Sequence, residues 1–142
     1  MTDPLIRELL DRSELAALVA RHSLWIDEGR FDESDRLFTD DVTVTAPRGQ
    51  ATGIPALIEL ADSGHHQYTR TLHSKADLVI EITGDTATVR ANDIAVFITG
   101  DSSAAIAAGI HRYHARRTPD GWRFDRLDIE PIALTADVDR IL

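Results

Sequence analysis

The run Leu78-Val79-Ile80-Glu81-Ile82-Thr83-Gly84-Asp85-Thr86 decides how the second half of this chain is read. Leu78, Ile80 and Ile82 fall on one side and Val79 and Glu81 on the other, the period of two expected of a strand with one buried face. Gly84-Asp85 then supplies a turn, and the β-rich stretch Thr86 to Thr99 follows. Further on, Gly100 to Ser103 marks a second turn and Pro119-Asp120-Gly121 a hairpin turn, beyond which Trp122 to Ile132 alternates. Ala105 to Arg117 is rich in alanine, which favours helix, but it lies between two turn signals with strands on both sides. It is assigned to a strand, and the stretch from Thr69 onward becomes a long antiparallel meander.

Working back from Thr69, the first half reads as helices. Leu15, Leu18, Val19, His22 and Ile26 recur at helical period with Trp25 beside them, and Gly29 is the expected stop. Asp11 and Glu14 have capping-box spacing, with Ser13 as the alternative cap; Pro4 to Leu10 either joins this helix or forms a separate turn. Phe31 to Phe38 predicts a short second helix capped by Asp32. Val42 to Thr45 is a β-branched strand, Pro47 to Gly53 a loop, and Ile54 to Ala61 a third helix with Pro55 in its first turn. Helices followed by a meander make an α+β fold rather than alternating βαβ units.

The chain has 142 residues, no cysteine and a formal net charge of -9, with 24 acidic against 15 basic residues. This suits a single domain over residues 1–142, with a core at 11–132 and a C-terminal tail at 133–142. The acidic balance argues against nucleic acid as a partner. Absence of cysteine removes disulfides, zinc fingers and a Cys nucleophile, and Lys75 is the one lysine for any amine chemistry. No apolar run approaches the roughly 20 residues of a membrane span, and Met1-Thr2-Asp3-Pro4 lacks the basic region of a signal peptide. The expectation is a soluble, cytoplasmic protein without a membrane partner.

Nucleotide-binding, nucleophile-elbow and HExxH motifs are absent. The candidates for chemistry are polar groups on faces that should be buried. Asp27 falls off the charged helix face of Glu14, Arg21 and Glu28 and lies nearer Ala16, Ala20 and Ser23, which leaves room for a partner or ligand. The plainer alternative is an exposed acid at a helix end. His22 sits on the apolar face, where a hydrogen-bonded core histidine is the competing reading. His73 opens a strand, and Asp77 projects to the same face if that strand is regular. His111 and Tyr113 share a face of another strand, and His114 points the opposite way. Two strand histidines and a helix carboxylate can converge on one cavity, where a carboxylate fixes an imidazole's tautomer for acid–base work. His65-His66 is read as a solvent-exposed loop pair, and no metal site is expected because no carboxylate lies at ligand spacing.

Several pieces together resemble one family. Trp25-Ile26-Asp27-Glu28-Gly29-Arg30-Phe31-Asp32 is similar to the helix-end segment of SnoaL-like proteins of the nuclear transport factor 2-like superfamily, which includes scytalone dehydratase. Leu37-Phe38-Thr39-Asp40-Asp41-Val42, Gly53-Ile54-Pro55-Ala56-Leu57, Thr71-Leu72-His73 with Gly84-Asp85-Thr86-Ala87, and Arg117-Thr118-Pro119-Asp120-Gly121-Trp122-Arg123-Phe124 resemble further family segments in order. The resemblance implies a cone-shaped α+β barrel, with about three N-terminal helices packed in a curved, mostly antiparallel sheet and an apolar pocket at its mouth. Asp27 and His73 match the acid–base Asp and His of the dehydratase, which needs no cofactor, and His111 falls near a pocket Asn. The dehydratase's second catalytic His meets the apolar Ala95-Val96-Phe97 here, and the Tyr before its Asp is Ile26. The acid of ketosteroid isomerase has no counterpart in Thr43 to Pro47, and the Asp-Arg-Asp set of limonene epoxide hydrolase is not apparent.

Two functional expectations follow. One is a cofactor-independent dehydratase, isomerase or cyclase acting on an apolar cyclic or polyketide-like substrate. In it Asp27 orients His73, and His111, Tyr113, Asp77, Trp25 and Phe97 bind substrate. The other is a non-catalytic ligand-binding or dimerisation module of the same fold. The resemblance also implies a homodimer, with Ile94 to Phe97 and Ala104 to Ile110 as candidate interface segments.

Overall fold

A computed structural model describes residues 3–65, 67–100 and 103–135. Helix α1 (Pro4–Asp27) is followed by a 3-10 segment (Phe31–Arg36), strand β1 (Phe38–Ala46), strand β2 (Gly49–Thr52) and helix α2 (Ile54–His65). Strands β3 (Arg70–Thr83), β4 (Thr86–Ile98), β5 (Ala104–Thr118) and β6 (Gly121–Leu134) complete the chain. The α+β reading and the meander hold: the six strands form one sheet in the order β2-β1-β6-β5-β4-β3. Every neighbouring pair is antiparallel except β1 with β6, which run parallel. The alanine-rich stretch is strand throughout, paired on both sides, because cross-strand burial overrides a weak helical propensity.

Some expected boundaries shift, each for a visible reason. Helix α1 starts at Pro4, capped by Asp3, whose Oδ1 accepts from the Leu5 amide at 2.8 Å. Asp11 and Ser13 are therefore helix interior, and the Pro4 to Leu10 turn joins the helix. The second helix is 3-10, and Asp32 does not cap it: Arg30 occupies that position without a side-chain capping bond. The expected loop at Pro47 to Gly53 contains β2, a four-residue strand that pairs back onto β1. Its Gly-Gln-Ala-Thr sequence carries no strand pattern; the open edge of β1 supplies the pairing. Helix α2 runs on past Ala61 to His65. Strand β6 carries the sheet through Leu134, into the expected tail, while the turn at Gly100 to Ser103 lies partly outside the described residues.

Helix α1 lies against the inner face of the sheet and buries Leu15, Leu18, Val19 and Trp25 there. They join Phe38 and Val42 of β1, Val89 of β4, Tyr113 of β5 and Phe124 and Leu127 of β6 in one core. A polar clamp fixes the helix against the closing hairpin. Asp11, 7% exposed, takes a bidentate pair from Arg117 at 2.8 and 2.9 Å and a third bond from the Trp122 indole at 3.0 Å. One turn along, Glu14 Oε1 accepts from the Trp122 amide at 3.0 Å. No helix among the described residues is long and apolar enough to cross a membrane.

Removing one partner of a buried, hydrogen-bonded charge leaves the other group unsatisfied. Asp11→Ala is expected to lower the unfolding free energy by about 2 kcal/mol in a urea titration, more than Asp120→Ala on the exposed turn.

Candidate active site

The site begins with the end of α1. Asp27 is its last residue, and Gly29, with φ 62°, lets the chain turn away beyond it. The Asp27 carboxylate points at β3, where three donors meet it. Thr71 Oγ1 donates to Oδ1 at 2.9 Å, the His73 amide donates to Oδ2 at 2.8 Å, and His73 Nδ1 donates to Oδ1 at 2.6 Å. Both side chains are nearly buried, at 10% and 7% exposure. Burial raises the Asp27 pKa, but the bonds from the His73 ring and backbone outweigh it and hold the carboxyl below its ordinary range. A carboxylate that accepts at Nδ1 fixes the tautomer: Nδ1 carries the proton and Nε2 is left with its lone pair.

His73 lines an apolar pocket between the helices and the sheet. Trp25 and Ile26 of α1, Leu57 and Ala61 of α2, and Ala95 and Phe97 of β4 form much of its wall, with Arg48 and Pro131 also on its lining. Trp25 and Phe97 thus lie where the sequence reading put them. His22, His65, Asp93 and His111 also face it.

Two expected site residues do not belong here. The register of β3 slips between Ala76 and Val79, and Asp77 adopts the left-handed φ of 53°. This bulge breaks the alternation that would have put Asp77 on the face of His73. Asp77 is exposed and accepts instead from Asn92 Nδ2 at 3.0 Å. Tyr113 is 2% exposed and sits behind the pocket, in contact with His22 Nδ1 at 2.8 Å and His111 Nδ1 at 3.4 Å. It holds other site residues rather than lining the pocket. His22 meets both readings, a bonded core histidine whose ring also faces the cavity. His114 points away from the pocket, as expected, and bonds Asp125.

Three contributors were missed. Asp93 on β4 and Lys75 on β3 form a buried ion pair at 2.9 Å, with side chains 8% and 4% exposed. Lys75 also donates to Ser23 Oγ at 3.2 Å, and His111 Nε2 lies 3.4 Å from Asp93 Oδ2. Burial opposes ionisation of Asp93, but His111 and Lys75 keep its carboxyl strongly depressed. The signal was present: Asp93 continues the alternation of Val89, Ala91, Ala95 and Phe97, and Lys75 follows His73 by two. His65 was expected in solvent. Because α2 runs four residues further than predicted, His65 sits on the pocket wall, its ring 5.4 Å from that of His73 and 5.6 Å from that of Phe97. Its neighbour His66 lies outside the described residues. Among the described residues no three or more His, Asp or Glu side chains are grouped to hold a metal ion.

Comparison with known proteins agrees with this architecture. The profile of the SnoaL-like domain matches residues 7–128, and the chain belongs to that family. An uncharacterised protein of Mycobacterium tuberculosis, Rv2910c, is 29% identical over 125 residues, 85% of each chain. Among solved structures, a protein from Novosphingobium aromaticivorans assigned as a scytalone dehydratase superposes with a TM-score of 0.81 at 21% identity, covering 90% of this chain and 88% of its own. The type-3 hexachlorocyclohexane dehydrochlorinase of Novosphingobium barchaimii gives 0.82 at 15%, covering 92% of each. A nuclear transport factor 2-like superfamily protein from Salmonella enterica gives 0.82 at 17%, covering 92% and 96%.

The buried histidines set a pH response. Burial pushes His65 down to about 4 and also lowers His22 and His111. The unfolded chain, with ordinary values near 6.5, binds protons that the folded chain refuses, so stability is complete above pH 6.5 and is lost as pH falls. Denaturant midpoints measured from pH 7.5 to 4.5 are expected to hold down to about pH 6.5 and then fall, and His65→Phe is expected to flatten that decline.

Proposed function

We propose that this chain is a cofactor-independent lyase-type enzyme that removes a proton from an apolar cyclic substrate, with His73 as general base and Asp27 as its orienting carboxylate. The observation that carries the proposal is the triple hold on Asp27 by Thr71 and by the ring and backbone of His73. It costs two nearly buried polar side chains and leaves Nε2 of His73 as a base on an apolar wall. In the elimination, Nε2 takes a proton from a ring carbon. The C–H electron pair becomes the new C=C bond, and the leaving group departs from the adjacent carbon with its own electron pair. If that group is hydroxide, the imidazolium returns the proton and water leaves; if it is halide, the proton passes to solvent. Asp27 stabilises the imidazolium at Nδ1 throughout. Two of the structural neighbours are named for eliminations of these two kinds, a dehydratase and a dehydrochlorinase, which supports the reading by analogy. An isomerase or cyclase would use the same base with a different fate for the C–H electron pair.

Release of water from hydroxytetralones and of chloride from chlorinated cyclohexanes tests the proposal. His73→Gln is expected to reduce turnover by roughly 10²–10⁴-fold while the protein stays folded. Undiminished turnover would sink the reading. A ligand bound tightly with no product, and equally well by Asp27→Asn and His73→Gln, would favour the binding-module alternative.

A homodimer is also proposed. On the outer face of β3, β4 and β5, pairing aligns Leu72 with Val96 and Val96 with Ile106, and Leu72, Ile94 and Ile106 are exposed. An apolar row of this kind fits a second copy of the same surface. Sedimentation velocity is expected to show a dimer that Ile106→Lys converts to monomer; a wild-type monomer at every concentration refutes it.

A further inference from the structure

We propose that His65 Nε2 is the acceptor a ligand engages in the pocket, and that the ligand is therefore an apolar ring carrying a hydroxyl or N–H donor. The reaction assigned to His73 above sets the context, but the inference about His65 concerns binding and stands on separate geometry.

The assignment follows from accounting for each polar side chain on the pocket wall. His65 Nδ1 lies 2.8 Å from the Ala61 carbonyl, which can only accept, so Nδ1 carries the proton. Burial keeps this ring neutral, and its Nε2 is a bare lone pair, buried with no hydrogen-bond partner. A buried polar atom without a partner costs stability unless something satisfies it, and here the ring stands at the wall of a cavity beside the proposed base. His73 offers a bare Nε2 for the reason already given.

His111 and His22 are fixed by a chain of contacts. His111 Nε2 faces the Asp93 carboxylate and so holds the proton, leaving Nδ1 as acceptor. Tyr113 then donates to His111 Nδ1, and its oxygen accepts from His22 Nδ1. This is the one set of proton positions in which all three contacts are hydrogen bonds with neutral imidazoles, and it leaves His22 Nε2 bare as well. Asp93 is a carboxylate, and the Trp25 indole donates to Ser34 Oγ at 2.8 Å, away from the pocket. Glu130 accepts from Arg112, and the remaining cation, Arg48, is an exposed residue whose side chain lies against Gly64 on the pocket lining. The buried polar side chains of the wall therefore leave bare acceptors, and a ligand hydroxyl finds the unpartnered His65 Nε2 among them.

The test uses 4-ethylphenol and its methyl ether, 4-ethylanisole, which share the ring and ethyl group and differ in the O-methyl that removes the donor. Titration calorimetry on the full chain is expected to show the phenol binding about fivefold to tenfold more tightly. His65→Phe is expected to cut that preference to about twofold or less while keeping the affinity for 4-ethylanisole. In the wild type, the ¹⁵N resonance of His65 Nε2 is expected to move upfield with the phenol and not with the ether, which needs no variant to fold. Equal binding of the two probes, a preference unchanged in folded His65→Phe, or a resonance indifferent to the phenol would each overturn the proposal. None of these measurements needs turnover. A failed phenol preference leaves the His73 experiment intact, and a silent His73→Gln leaves the phenol preference intact.

Discussion

Helix α1 is pinned to the sheet by carboxylates at both ends, and the pocket depends on that double hold. Near its start, Asp11 and Glu14 reach the closing hairpin through Arg117 and Trp122; at its last residue, Asp27 reaches β3 through Thr71 and His73. The apolar side chains between these points fix how deeply the helix sinks, because Leu15, Leu18 and Val19 share one core with Val42, Val89 and Phe124. Neither clamp is a surface ion pair of small worth. Each is multiply bonded and mostly withdrawn from water, the condition under which charge-assisted bonds are strong. A helix held at one end could pivot and carry Asp27 away from His73; held at both, it delivers the carboxylate to within 2.6 Å of the ring.

The pocket also shows how a protein can place charge beside an apolar cavity without making the cavity polar. Lys75 and Asp93 cancel each other within 2.9 Å, and Ser23 and His111 each add one further contact. The neutral histidines around them add lone pairs but no net charge. An ionised base next to a bare carboxylate or ammonium would be biased by it; here the charge nearest His73 is Asp27, which is in place to stabilise the imidazolium.

Much of this was legible beforehand. Period two in Leu78 to Ile82, the turn at Pro119-Asp120-Gly121 and the helical spacing of Leu15 to Ile26 were sufficient for the class of fold. The small residues around Asp27, together with the family resemblance, singled out the carboxylate that the fold brings to within 2.6 Å of His73. What escaped was set by local irregularity and by partners far apart in sequence. The bulge at Asp77 cannot be read from Lys75-Ala76-Asp77-Leu78, so a regular strand wrongly carried Asp77 into the site. The third helix was read as ending at Ala61, which hid His65, yet α2 continues through Gly64. Asp11 looked like a cap because Glu14 stands at the right spacing; its actual partner, Arg117, is 106 residues away. Asp93 could have been found, since it sits in register with four buried apolar residues.

The burial of Lys75 has a consequence for the surface. It is the one lysine in the sequence, and its amine is closed between Asp93 and Ser23. The fixed positive charge on the described exterior is consequently all guanidinium, which keeps its proton wherever the fold survives. Acylating and reductive reagents aimed at side-chain amines find no target on that exterior. They reach one only when β3 parts from α1, so the acylation of Lys75 would serve as a clock for the opening of the domain.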